Sequence, residues 1–161
     1  MDVNKKEPQK EQKTINIKTL GGWLMAVQVF IILNALSWIK NLQTFYELLG
    51  EKDNLIKTQN ISNPSLYNTF IYFELASSIV FTFLSFIVFY YFFKRNKLFP
   101  LIMIIYLILE LAVDAASYFI FQPITGQQDI IWQKLIFSAA VAILIIAYVK
   151  TSIRVKMTFT H

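Results

Sequence analysis

Glu110 and Asp114 stand four residues apart in the stretch ILELAVDAASY, residues 108–118, which is otherwise apolar or small. On a helix that spacing puts two carboxyls on one face, about 5–6 Å apart at Cβ. Paired acids can do general acid–base work, relay a proton, or bridge to a neighbouring helix. Three more polar residues sit in comparable apolar surroundings: Asn34, Glu74 and Lys134. An ionised carboxylate near the centre of a membrane helix costs about 3 kcal/mol. Holding it neutral at pH 7 costs roughly 4 kcal/mol. The two costs are close, so a partner or a watery cavity decides the outcome. Glu74, Glu110 and Asp114 have only one embedded base among them, Lys134. Lys134 is therefore expected to pair with Asp114 or Glu74, leaving Glu110 to keep its proton.

Other chemistry is narrowed by what the chain lacks. Its 161 residues contain no cysteine, and the only histidine is His161. Disulfides, thiolate nucleophiles and Cys-based metal sites are excluded, and a His-dependent site is not expected. Gly21–Gly22 belongs to no GxGxxG or GxxxxGK pattern, so no phosphate loop is read there. No catalytic residue, metal or cofactor is expected, and the chain is not expected to be an enzyme.

The elements that must position these residues are membrane helices. Hydrophobic residues make up 56% of the chain and charged residues only 16%. Four apolar runs, about 20–39, 69–93, 98–121 and 130–149, are each long enough to cross a bilayer core of about 30 Å. The first, with its basic approach, reads as an uncleaved signal anchor. Trp23, Trp38, Tyr67, Tyr72, Tyr90, Tyr91, Tyr118, Trp132 and Tyr148 mark the ends of the runs as aromatic belts do. Asn63–Pro64 and Pro100 suit helix starts, and Asp129 suits an N-cap. Residues 1–19 form a flexible polar tail and 150–161 a basic tail. Residues 40–68 form an outer loop, into which the first helix continues or which holds a short interfacial helix. Gly50 is expected to stop that helix.

Counted inward at about 1.5 Å per residue, Asn34, Glu74, Asp114 and Lys134 lie roughly 6–10 Å from the same predicted face, with Glu110 near the midplane. They sit on polar or small stripes: Glu74, Ser78, Thr82 and Ser85; Tyr106, Glu110, Asp114 and Ser117; Lys134, Ser138 and Ala142. Such stripes face the interior of a bundle, because lipid solvates Phe, Ile and Leu better.

The net charge of +5 serves topology rather than nucleic-acid binding. Lys5, Lys6, Lys10, Lys13 and Lys18 precede the first run. Lys94, Arg95 and Lys97 join the second to the third, and Lys150, Arg154 and Lys156 follow the fourth. The other side has only Lys40, Lys52 and Lys57, so both termini are expected to be cytoplasmic. At the C-terminus Ile153, Val155, Met157 and Phe159 alternate with Arg154, Lys156, Thr158 and Thr160. Period two predicts an extended segment, lying in the interface or solvated.

Two short motifs carry a resemblance. One is Gly21, Gly22, Trp23 and Leu24 at the start of the first run. The other is Tyr148, Ser152, Arg154, Val155, Lys156, Thr158 and Phe159 at the end of the chain. Their order and spacing around four apolar runs resemble the bacterial multi-pass membrane family known as domain of unknown function 2569, over about residues 18–160. The resemblance implies a bacterial inner-membrane location and supplies no activity. Glu74, Glu110 and Asp114 match none of its motifs.

The chain is thus expected to be an all-α, four-helix transmembrane bundle whose partners are the lipid bilayer and a membrane protein or further copies of itself. Its role is expected to be structural, accessory or interactive in the cell envelope. The alternative is a small proton-coupled transporter, acting as a homo-oligomer through its intramembrane acids.

Overall fold

A backbone surrounded by hydrocarbon can satisfy its N–H and C=O groups only within its own helix, so each apolar run becomes one. The computed structural model describes residues 22–58, 61, 63–125 and 128–159, and the side chains of all but 122–131. The expected tail at 1–19, Gly21 and the last two residues lie outside that description. The helices are α1 (Trp23–Thr58), α2 (Pro64–Phe93), α3 (Phe99–Thr125), α4 (Gln128–Thr151) and the short α5 (Ile153–Thr158). The first four are long and apolar enough to cross a membrane, and no strand occurs among the described residues.

Helix ends follow local chemistry. Asn63 caps α2, its Oδ1 accepting from the Leu66 N–H at 3.2 Å, and Pro64 fills the first turn. At the other end of α2 the Asn96 N–H reaches the Tyr91 carbonyl and the Arg95 N–H reaches that of Phe92, both at 3.1 Å. This is the Schellman closure, and it puts Arg95 in the left-handed region at φ 50°. Pro100 occupies the second position of α3, where its missing N–H costs nothing. Asp129 falls inside the first turn of α4, which begins at Gln128, rather than at an N-cap; its side chain lies outside the described residues.

Two further expectations are corrected. Gly50 does not stop the first helix; α1 runs through it to Thr58, about 54 Å in all. The expected outer loop at 40–68 is therefore mostly helix, with only residues 59–63 between α1 and α2. A lone exposed glycine costs about 1 kcal/mol against alanine. Contacts beyond the apolar run outweigh it. Phe45 lies edge-on to Phe70 at 5.9 Å, the Lys52 ammonium donates to the Tyr72 hydroxyl at 3.3 Å, and Gln43 donates to Glu47 one turn on at 3.0 Å. The second correction is the C-terminus, which turns into α5 instead of extending. Ser152 caps it by accepting from the Val155 N–H, and Val155 and Phe159, four apart, are buried while Ile153 and Met157 are exposed.

Packing follows a seam of alternating three- and four-residue steps. In α2 the seam is Ile71, Glu74, Ser78, Phe81, Ser85, Val88 and Phe92, all buried, with Ser77 buried beside it. In α1 the buried positions are Leu24, Val27, Ile31 and Trp38, with Asn34 completing the steps. A mean step of 3.5 keeps one stripe facing the neighbouring helix, as in coiled coils. Phe83, Phe86, Leu101, Ile108, Phe137 and Leu144 point outward, where lipid solvates them. α1 packs on α2, α2 on α3 and α3 on α4, but no comparable backbone contact joins α1 to α4.

Glycine and arginine are placed against local preference here. A Cβ at Gly50 would have nothing within 4 Å. Gly50→Ala should stabilise the protein by about 0.5–1 kcal/mol. Arg95→Gly should relieve about 1 kcal/mol of left-handed strain. Denaturant titration in mixed micelles measures both; a loss of stability in either would contradict the local account.

Candidate functional site: a polar cluster between α1, α3 and α4

Each polar side chain in the membrane is delivered by the seam of its helix. Asn34 Nδ2 donates to both carboxyl oxygens of Glu110, at 2.9 and 3.0 Å, joining α1 to α3. The Lys134 ammonium lies 3.4 Å from Asp114 Oδ1, joining α3 to α4. Ser117 Oγ donates to Glu74 Oε1, joining α3 to α2. Ser85 gives its proton to the Phe81 carbonyl at 2.7 Å, so the Tyr106 hydroxyl is the donor to Ser85 Oγ at 3.0 Å. Thus α3 reaches each of the other three long helices with a polar side chain.

The sequence-predicted residues divide into two groups. Asn34, Glu110, Asp114 and Lys134 line one cavity of about 280 Å³ between α1, α3 and α4. Glu74, Ser78 and Tyr106 do not line it; they lie in the α2 seam or face it. Ser78 Oγ and Trp38 Nε1 are buried without a hydrogen-bond partner. Trp38 forms part of the cavity wall and stacks on Phe81 at 4.7 Å, which meets Tyr106 edge-on at 5.6 Å.

Ser37 and Asn41 line the same cavity and were not singled out from the sequence. A signal was present: Asn41 follows Asn34 by seven residues, one full repeat of the α1 seam. The predicted span ended at Ile39, which hid the match.

Electrostatically the cavity is uneven. Asp114 is 12% exposed while Lys134 is 68% exposed. Lys134 lies two residues into the apolar span that starts at Trp132, so its long stem can carry the ammonium toward the membrane boundary. The cavity can hold small polar groups or water against carboxylate and amide oxygens. Among the described residues no cluster of His, Asp and Glu is grouped to hold a metal.

The two motifs meet at the end of the bundle that carries the α1 N-terminus. Gly22 is left-handed at φ +67°, and a Cβ there would lie 3.5 Å from an Arg154 guanidinium nitrogen. Trp23 and Tyr148 rings lie 6.4 Å apart. Phe159 stacks on Phe99 at 4.4 Å and tilts against Phe92 at 5.8 Å, so α5 folds back over the α2–α3 turn. Val155 is buried, Thr158 half-buried and Lys156 exposed. At that turn the Lys94 ammonium sits 4.9 Å over the Tyr90 ring. The Tyr90 hydroxyl, first by hydrogen bonding and then by its charge, holds that ammonium above the usual lysine range.

Among protein families, the one described as protein of unknown function (DUF2569) matches residues 17–160. No curated protein and no solved structure matches the chain.

Proposed function

The chain belongs to the DUF2569 family of proteins of unknown function, and from that premise we propose a non-enzymatic, structural or accessory role in a bacterial inner membrane, with both termini cytoplasmic. It is a multi-pass membrane protein with four spanning helices. One observation carries the proposal: each intramembrane acid is engaged by a side chain of another helix, Glu74 by Ser117, Glu110 by Asn34 and Asp114 by Lys134. Acids used in this way fasten helices to one another. The work is then left to the outer surface, and its partner is another membrane protein or a further copy of the chain.

A second reading has its own observation. Glu110 and Asp114 both line the cavity between α1, α3 and α4, as a proton-coupled carrier would require. Four helices are few for a carrier, so it would work as a homo-oligomer.

Proteoliposome assays separate the two. On the structural reading the wild type shows no proton-coupled flux, Glu110→Gln and Asp114→Asn lower stability only, and native-membrane purification yields a stoichiometric partner. Flux in the wild type that both variants abolish would replace the structural reading with the carrier.

A further inference from the structure

We propose that the seam between α1 and α4, at the end bearing Arg154, binds one anionic phospholipid, its phosphate beside Arg154 and an acyl chain beneath Trp23 and Tyr148.

Two adjoining cavities have the shape and chemistry this requires. The first, about 510 Å³, is lined by Gly22, Trp23, Tyr148, Thr151, Ser152 and Arg154. The Ser152 hydroxyl and a guanidinium suit a phosphate, and Gly22 contributes no side chain to narrow the space. The second, about 200 Å³, has an almost wholly apolar wall that includes Ala26, Val27, Val141, Leu144 and Ile145. Trp23 and Tyr148 belong to both cavities, so they form one site, a mouth that carries Arg154 in a largely apolar wall and an apolar slot behind it. From Tyr148 to Val141 the slot follows α4 for about 10 Å, most of the roughly 15 Å depth of one leaflet. It exists because α1 and α4 do not close on each other.

Charge selects the occupant. This end carries Lys94, Arg95, Lys97, Lys150, Arg154 and Lys156, with no acid among the described residues of its turn and tail. Phe159 on Phe92 and Phe99 brings the tail and the turn to the same end. Basic pockets between membrane helices favour anionic headgroups. A soluble phosphate would leave the slot unused. A partner helix, about 10 Å across with its side chains, needs more room than a slot of about 200 Å³.

The test is native mass spectrometry of the full-length protein in micelles, titrated with phosphatidylglycerol or with phosphatidylcholine of the same chains. One phosphatidylglycerol should be retained at about tenfold lower concentration than phosphatidylcholine, and Arg154→Gln should remove that preference. Ala26→Phe fills the slot and should weaken both lipids; Leu144→Trp does so from the other wall should Ala26→Phe fail to fold. Lys52→Gln, on the distal part of α1, should change nothing. An excess of inorganic phosphate should not displace the lipid. Equal retention of the two lipids overturns the proposal, as does wild-type binding by both Arg154→Gln and a folded slot variant. Displacement by inorganic phosphate overturns it too, by marking a soluble-anion site.

Discussion

Phe99→Ala is expected to lower the stability of the bundle by about 3 kcal/mol or more. Phe99 is fully buried at the first position of α3, where three elements converge. It stacks on Phe159 of the C-terminal segment at 4.4 Å and lies edge-on to Phe92 of α2 at 5.2 Å. Removing its ring leaves a void that the α2–α3 turn cannot close, because hydrogen bonds to Tyr91 and Phe92 pin that turn. The cost should be shared with Phe159. In a double-mutant cycle Phe99→Ala and Phe159→Ala should be non-additive by about 0.5–1.5 kcal/mol, the worth of an aromatic pair beyond its burial. Phe119 is 70% exposed and serves as a control. Its alanine variant should stay within about 0.5 kcal/mol of the wild type. Unfolding in mixed micelles reads all of these. A Phe99→Ala protein as stable as the Phe119 variant would mean that α5 does not hold the bundle end together.

That cluster also shows where sequence reading stopped. Ile153, Val155, Met157 and Phe159 satisfy period two, yet Val155 and Phe159 also satisfy the four-residue step of a helix. Seven residues are too few to separate the periods. What decides is burial against Phe92 and Phe99, some sixty residues earlier in the chain. No local pattern carries that information. The first helix does continue into 40–68, one of the two arrangements expected, and only its stop at Gly50 failed, for a related reason. Hydropathy falls after Ile39 because the helix leaves hydrocarbon, not because it ends. Its continuation rests on contacts such as Phe45 with Phe70, again distant in sequence.

The four spans themselves were legible, since a bilayer demands about twenty apolar residues per crossing and the chain has four such runs. The presence of polar residues within the apolar runs was legible, because each interrupts an otherwise hydrophobic sequence. Their partners were not. Pairing depends on how each helix is rotated about its axis, and side chains on the neighbouring helices set that rotation. Asn34 and Glu110 lie seventy-six residues apart, and no local pattern along the chain joins them. For Lys134 the charge count left two candidates, Asp114 and Glu74. The structure puts Asp114 at 3.4 Å and gives Glu74 to Ser117, three residues further along the same stripe of α3.

Lys134→Met should destabilise the protein by about 2 kcal/mol, and adding Asp114→Leu should recover most of the loss. The asymmetry of the pair sets the size. Asp114 is 12% exposed, so without Lys134 its side chain is left beside Glu110 with no cation against it. Lys134 is 68% exposed and in part already solvated at the boundary, which holds the effect below the 3–5 kcal/mol typical of a fully buried pair. Replacing both with apolar residues of similar volume removes the desolvation cost together with the attraction. Recovery in the double variant is therefore expected if the pair is only a fastening between α3 and α4. Glu110 stays bonded to Asn34 in every variant, so the cavity keeps one acid throughout. The double variant then becomes the cleanest probe of function. If it is stable and retains its native-membrane partner, the pair is structural. If it is stable but has lost an activity of the wild type, the charges themselves are the working parts. If the double variant is no more stable than Lys134→Met alone, Asp114 is held by something other than Lys134, and α4 is not fastened where the 3.4 Å contact places it.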